Sequence, residues 1–240
     1  MSNSENSFAD RLSRARAMKA ALSEFTPAFV PADANLAAGA FESYLNGVEG
    51  ANDAVADAEV LFTGAADARR DAAEAMQDKA LRVKDHVGAN VTWKKYLSAV
   101  EEAAKLVRGT RRSPRPKPAP PGAVPPPKPR QGALSQTGFA DIASNFGKLL
   151  AAVKKVTGYT AAAASGLTIA ELTAQDTAYA ALNATATTAE AELDEAQRQR
   201  GEYYDGENGL HDKMVAIKKA VRSQYGAGST EYAAVKVIKV

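Results

Sequence analysis

From Phe41 onward every seventh residue reads Phe41, Val48, Val55, Phe62, Arg69, Met76, Val83, and the interleaved row reads Leu45, Asn52, Glu59, Ala66, Ala73, Ala80, Val87. A seven-residue apolar repeat held this long commits the stretch to a helix with a coiled-coil-like seam, because a helix returns side chains to one face at that spacing. A second row, Leu172, Tyr179, Ala186, Leu193, Arg200, with Leu182, Ala189, Ala196 and Tyr203 between, asks for the same. No run of strand alternation is long enough for a sheet, and the C-terminal "AAVKVIKV" is the one β-like candidate. The expected class is all-α: long antiparallel helices with coiled-coil-like seams, four-helix-bundle-like in arrangement.

The two rows belong to an internal repeat. Phe8-Ala9-Asp10 returns as Phe139-Ala140-Asp141, a shift of 131 residues that also aligns Asn52 with Asn183, Glu59 with Glu190 and Arg69 with Arg200. The second copy then gains residues around "YYDGENGLH", after which Asp78-Lys79 matches Asp212-Lys213 and Trp93 matches Tyr232. Each copy predicts a short helix (8–24; 139–156), a turn, one long helix (33–87 in the first copy) and a terminal short helix. Gly47, Gly50 and Gly64 are candidate bends, and "DGENG" is a candidate break. Thr168 and Glu171 form a capping box with Leu167 and Leu172 at staple spacing. Acids crowd the start of each long helical region and bases its end, matching the helix dipole, and each region stops at a glycine, Gly88 or Gly226.

Between the copies lies "RRSPRPKPAPPGAVPPPKPR". Residues 1–107 carry 12 Lys and Arg against 16 Asp and Glu, residues 108–132 carry 7 against 0, and residues 133–240 carry 11 against 12. The expected organisation is a first helical repeat unit (1–107), a basic Pro-rich linker (108–132) and a second repeat unit (133–240), the prolines enforcing an extended chain that separates the halves. The linker holds the candidate partner-binding residues Arg108, Arg111, Arg112, Arg115, Lys117, Pro118, Pro121, Lys128 and Arg130. Arg115-x-x-Pro118-x-x-Pro121 fits the positive-residue PxxP pattern that aromatic grooves recognise. Seven bases without an acid also suit nucleic acid, another anionic polymer or an anionic surface, or a weak attachment to the acidic first half. Base stacking has no support, since no aromatic lies between Tyr96 and Phe139.

"YGAGSTEY" (225–232) and "GTRRS" (109–113) resemble pieces of a pattern in uncharacterised bacterial helical-repeat proteins: a helix-ending Gly, then Ser-x-Glu-Tyr, then Gly-Thr-Arg-x-Ser. Here the pieces fall in different halves of the chain. The resemblance implies a helical bacterial protein and brings no activity with it.

Much chemistry is excluded outright. Without cysteine there is no disulfide, no thiolate nucleophile and no cysteine-ligated zinc or iron–sulfur cluster. Of the two histidines, His86 sits near a predicted helix end, where it favours the dipole. His211, with Asp205, Glu207 and Asp212, lacks the spacing of di-iron bundles, zincins and EF-hands. No phosphate-binding glycine loop and no nucleophile elbow is present. The polar seam positions Asn52, Glu59, Arg69, Asn183, Glu190 and Arg200 are expected to pair Glu with Arg across helices, with Asn fixing register, in preference to catalysis. Trp93 and Tyr232 read as aromatic plugs behind the glycine turns. The expectation is a non-enzymatic scaffold or adaptor with no catalytic residue, cofactor or metal, whose partners are another protein, itself, or an anionic polymer. The start has no apolar signal-peptide core and no segment approaches a membrane span, so the default compartment is the cytoplasm.

Overall fold

The computed structural model describes residues 3–109 and 138–240. Their helices are α1 (Asn3–Ser23), α2 (Ala38–Ala89), α3 (Lys94–Val107), α4 (Phe139–Lys154), α5 (Ile169–Asp205), α6 (Leu210–Tyr225) and α7 (Thr230–Lys236). There is no strand among the described residues. The β-like C-terminus is a correction: α7 takes it as far as Lys236, because Ser229 caps that helix by accepting the Tyr232 N–H at 3.0 Å. None of the described helices is long and apolar enough to cross a membrane.

α2 runs unbroken for 52 residues, on the order of 80 Å. Gly47, Gly50 and Gly64 do not interrupt it. Leu45, Val48 and Val55, buried on the same helix, hold the turns around the first two, and one glycine costs a helix only about 1 kcal/mol. The second long region does break at "DGENG". The Gly206 N–H donates back to Glu202 O at 3.0 Å, and a Cβ on Gly206 would lie 2.5 Å from that same oxygen. Asn208 follows at φ 61°, a left-handed turn that starts α6 afresh. At the other end of α5 the capping box is made reciprocally: the Thr168 N–H donates to Glu171 Oε2 at 2.9 Å and the Glu171 N–H to Thr168 Oγ1 at 3.2 Å. Leu167 and Leu172 are buried beside it. The hydroxyl and N–H of Thr168 on its carboxylate hold Glu171 below the usual carboxyl pKa.

The compact units do not follow the two sequence halves. One unit joins Met1–Phe62 to Ala189–Val240, and the other is Thr63–Thr188. The expected division into 1–107 and 133–240 cuts across both units. Both halves supply buried side chains to the core of each unit. The first unit's core gathers Met18, Leu22, Phe41, Leu45 and Val48 with Tyr204, Leu210, Met214, Ile217 and Val221. The second gathers Met76, Val83, Val87, Trp93, Val100 and Val107 with Phe146, Leu149, Val153, Leu172 and Tyr179.

In the second unit α3 and α4 lie antiparallel. Asn145, buried at 5% exposure, donates from Nδ2 to Leu106 O at 3.2 Å near the end of α3, while Tyr96 Oη meets Thr157 Oγ1 at 2.8 Å near its start. The residues flanking 110–137 therefore leave from and return to the same end of one helix pair. Residues 110–132 of the expected linker lie outside the described residues.

Candidate functional site

Of the candidate partner-binding residues, Arg108 is exposed at the C-terminus of α3, with its N–H on Ala104 O at 3.1 Å. Gly109 follows at φ 65° and turns the chain out of the helix. Arg111, Arg112, Arg115, Lys117, Pro118, Pro121, Lys128 and Arg130 lie outside the described residues.

Most of the polar seam positions gather at two centres. In the first unit the Arg200 guanidinium lies 4.5 Å from the centre of the Phe8 ring, with the arginine only 8% exposed. Tyr204, fully buried, donates its hydroxyl proton to Phe8 O at 3.1 Å and accepts from Asn52 Nδ2 at 3.0 Å. Burial raises the phenol pKa of Tyr204, against a smaller lowering from Asn52 and from Arg11 and Arg200. Asn52 Oδ1 is buried without a hydrogen-bond partner. Beside this group is a cleft of about 150 Å³, lined among others by Phe8, Asn52, Val55, Glu59 and Arg200.

In the second unit the Arg69 guanidinium lies 4.1 Å from the Phe139 ring centre, and Tyr179 donates to Phe139 O at 2.9 Å. Asn183 is half-buried on α5. Glu59 and Glu190, expected on the seam, are both on exposed helix surface. The guanidiniums of Arg69 and Arg200 stack on phenylalanine rings at these centres, a contact favoured by the electron-rich ring face.

No family model, curated protein or solved structure matches this chain significantly. Function must be argued from its own residues.

The described residues contain no group of three or more His, Asp or Glu side chains placed to hold a metal ion. His211 is exposed, and its neighbour Asp205 is held by Arg11, whose Nη2 lies 2.7 Å from Oδ1. The Arg11 hydrogen bond is the main reason that the Asp205 carboxyl titrates below its usual range. His86 ends α2 as expected, with Nε2 2.8 Å from Thr160 O. It also meets Trp93 and Tyr159 edge-on at 5.5 and 5.6 Å, and those two rings stack at 5.4 Å. Trp93 is 6% exposed within the core, a plug at the turn between α2 and α3.

Sequence reasoning missed one feature, a shallow cleft of about 490 Å³ lined by Tyr44, Arg198, Gln199, Glu202, Tyr203, Glu207 and Asn208. Tyr44 donates its hydroxyl proton to Tyr203 O at 2.5 Å, and burial, followed by the neighbouring Tyr203 and Tyr204, pushes its pKa up to about 12. Arg198 is shared between Glu195 and Glu202, and with Glu207 also in the lining the acids there outnumber it. The available signal was Gly47: a Cβ there would come 3.1 Å from Tyr203 Oη, so a glycine inside an otherwise continuous helix marks the approach of an aromatic ring.

Proposed function

We propose that the chain is a non-enzymatic scaffold or adaptor, built from two copies of one helical unit, that presents the basic, proline-rich segment 110–137 to a partner protein. One observation carries this reading. The flanks of that segment leave and return at the same end of the antiparallel α3/α4 pair, with Asn145 on Leu106 O at 3.2 Å. Antiparallel helices in a bundle are ordinarily joined by about 2 to 8 residues. The chain uses 28 here, and nine of its 11 prolines are among them. Length and composition beyond what the connection requires point to recognition, with Arg115, Pro118 and Pro121 matching the chemistry of an aromatic groove.

The copies account for the paired contacts. Arg69 on Phe139 and Arg200 on Phe8 are equivalent under the 131-residue shift, at 4.1 and 4.5 Å. Each pairs an arginine of one copy with a phenylalanine of the other.

A second reading, binding of nucleic acid or another anionic polymer, is favoured by the absence of any acid among the seven bases from Arg108 to Arg130. Replacing 110–137 by about six Gly and Ser residues tests both. The shortened chain should unfold within about 2 °C of the parent and lose binding to SH3-type domains that the parent binds. Parent chain that binds no such domain refutes the first reading. Binding to duplex DNA that falls steeply between 50 and 200 mM salt in the parent, and is absent in the shortened chain, selects the second.

A further inference from the structure

We infer that each half of this chain is the other's binding partner, and that a second copy of the chain can supply the missing half, giving a dimer by reciprocal exchange of residues 138–240. The inference concerns the helices and stands whether or not segment 110–137 recognises anything.

Three observations carry it. First, each core is built from both halves. The first unit's core needs Met18, Phe41 and Leu45 from one half and Tyr204, Met214 and Ile217 from the other, all within 3% of full burial. The second needs Met76, Val83 and Val107 from one half and Phe146, Leu149 and Leu172 from the other. Second, specific polar contacts also run between halves: Tyr204 to Phe8 O, Arg11 to Asp205, Gln224 Nε2 to Ala28 O at 2.9 Å and Tyr225 Oη to Pro27 O at 2.6 Å. Third, the covalent connection is long. Twenty-eight residues separate Gly109 from Gly138, a reach of up to about 90 to 100 Å when fully extended, where the helix ends it joins are neighbours.

A long tether between two halves that complete one another is the condition for exchange, because the closed monomer and the exchanged dimer bury the same surfaces and differ only in which chain supplies them. The tether sets the balance. A connection of this length holds the halves at an effective concentration on the order of millimolar, so dilute protein closes on itself, and chains folded near that concentration partition comparably between the two forms.

The test uses full-length protein with a protease site placed between Pro121 and Pro125. Protein denatured in guanidinium is refolded at 10 μM and at 1 mM, then sized at one common dilution. Exchange predicts a dimer fraction that rises at least tenfold between the two refolding concentrations. It further predicts that cutting the tether converts this dimer entirely to a species of monomer size containing both fragments, since in an exchanged dimer the tethers are the only link between the two completed bodies. A dimer that survives cutting is a side-by-side association and overturns the inference. So does the absence of dimer after refolding at 1 mM, and so does cut monomer that separates into two fragments on sizing. A chain with 110–137 shortened that keeps its fold but loses partner binding bears on the proposed function alone.

Discussion

Removing one oxygen at Tyr204 should destabilise the protein more than removing its counterpart at Tyr179. The two tyrosines are both essentially fully buried and both donate to a main-chain oxygen near the start of a helix, Phe8 O at 3.1 Å and Phe139 O at 2.9 Å. Those oxygens retain their helical partners after mutation, so each loss is that of one neutral hydrogen bond, about 1 kcal/mol. Tyr204 additionally accepts from Asn52 Nδ2 at 3.0 Å, and Asn52 Oδ1 is already buried without a partner. Tyr204→Phe thus leaves that amide without its hydrogen bond at either end, adding about 1 to 2 kcal/mol of uncompensated desolvation. The expected costs are about 2 to 3 kcal/mol for Tyr204→Phe and about 1 kcal/mol for Tyr179→Phe. At roughly 2 to 4 °C per kcal/mol for a chain of this size, melting followed by circular dichroism at 222 nm should separate them by several degrees. Adding Asn52→Leu to Tyr204→Phe should recover at least half of the loss, because the stranded amide is removed with its partner. Equal costs for the two tyrosines, or a double variant weaker than Tyr204→Phe alone, would refute the reasoning.

Three further outcomes are expected. Between pH 10 and about 12 the folded state keeps the Tyr44 proton that the unfolded chain releases, so stability should fall as pH rises through that window; alkaline denaturation of Tyr44→Phe should show a shallower decline, and an unchanged slope counts against the burial of that phenol. Thr168→Ala removes the N-cap of α5 and should cost about 1 kcal/mol in urea unfolding, whereas no loss would mean that the leucine staple alone holds that end. Gly50→Ala should raise stability by about 0.5 to 1 kcal/mol, since nothing lies within 4 Å of its added methyl; Gly47→Ala should lack that gain, its methyl meeting Tyr203 at 3.1 Å, and equal gains would place the Tyr203 ring elsewhere.

The helices were legible because their signals are local. The apolar rows, the capping box at Thr168 and the glycine-rich break before α6 each depend on neighbours within a few turns. The pairing of halves was not, since a seven-residue row states that a helix has a seam but not whose seam fills it. Azimuth was legible only over short distances. A straight helix drifts about 20° per heptad against a seven-residue repeat, and over the four heptads and more from Leu172 this amounts to nearly one residue position. Tyr204 accordingly takes the buried place that the heptad count gave to Tyr203, which is 36% exposed. The seam weakens for a related reason from Glu59 to Arg69, the stretch that contains the boundary between the compact units at Phe62 and Thr63, where Phe62 and Ala66 are only half-buried. Gly47 gave a signal for the tyrosine cleft, but a glycine announces close approach without naming what approaches.

The two buried tyrosines sit on the same helix, α5, one in the core of each compact unit: Tyr204 in the core that holds Val48, and Tyr179 in the core that holds Ala73. Their hydroxyls reach different parts of the chain. Tyr204 crosses from its own half of the sequence to the Phe8 carbonyl, whereas Tyr179 bonds to Phe139 within its own half. One helix therefore carries both a clasp and a brace: losing the first phenol loosens the grip of one half on the other, and losing the second loosens only the half that bears it.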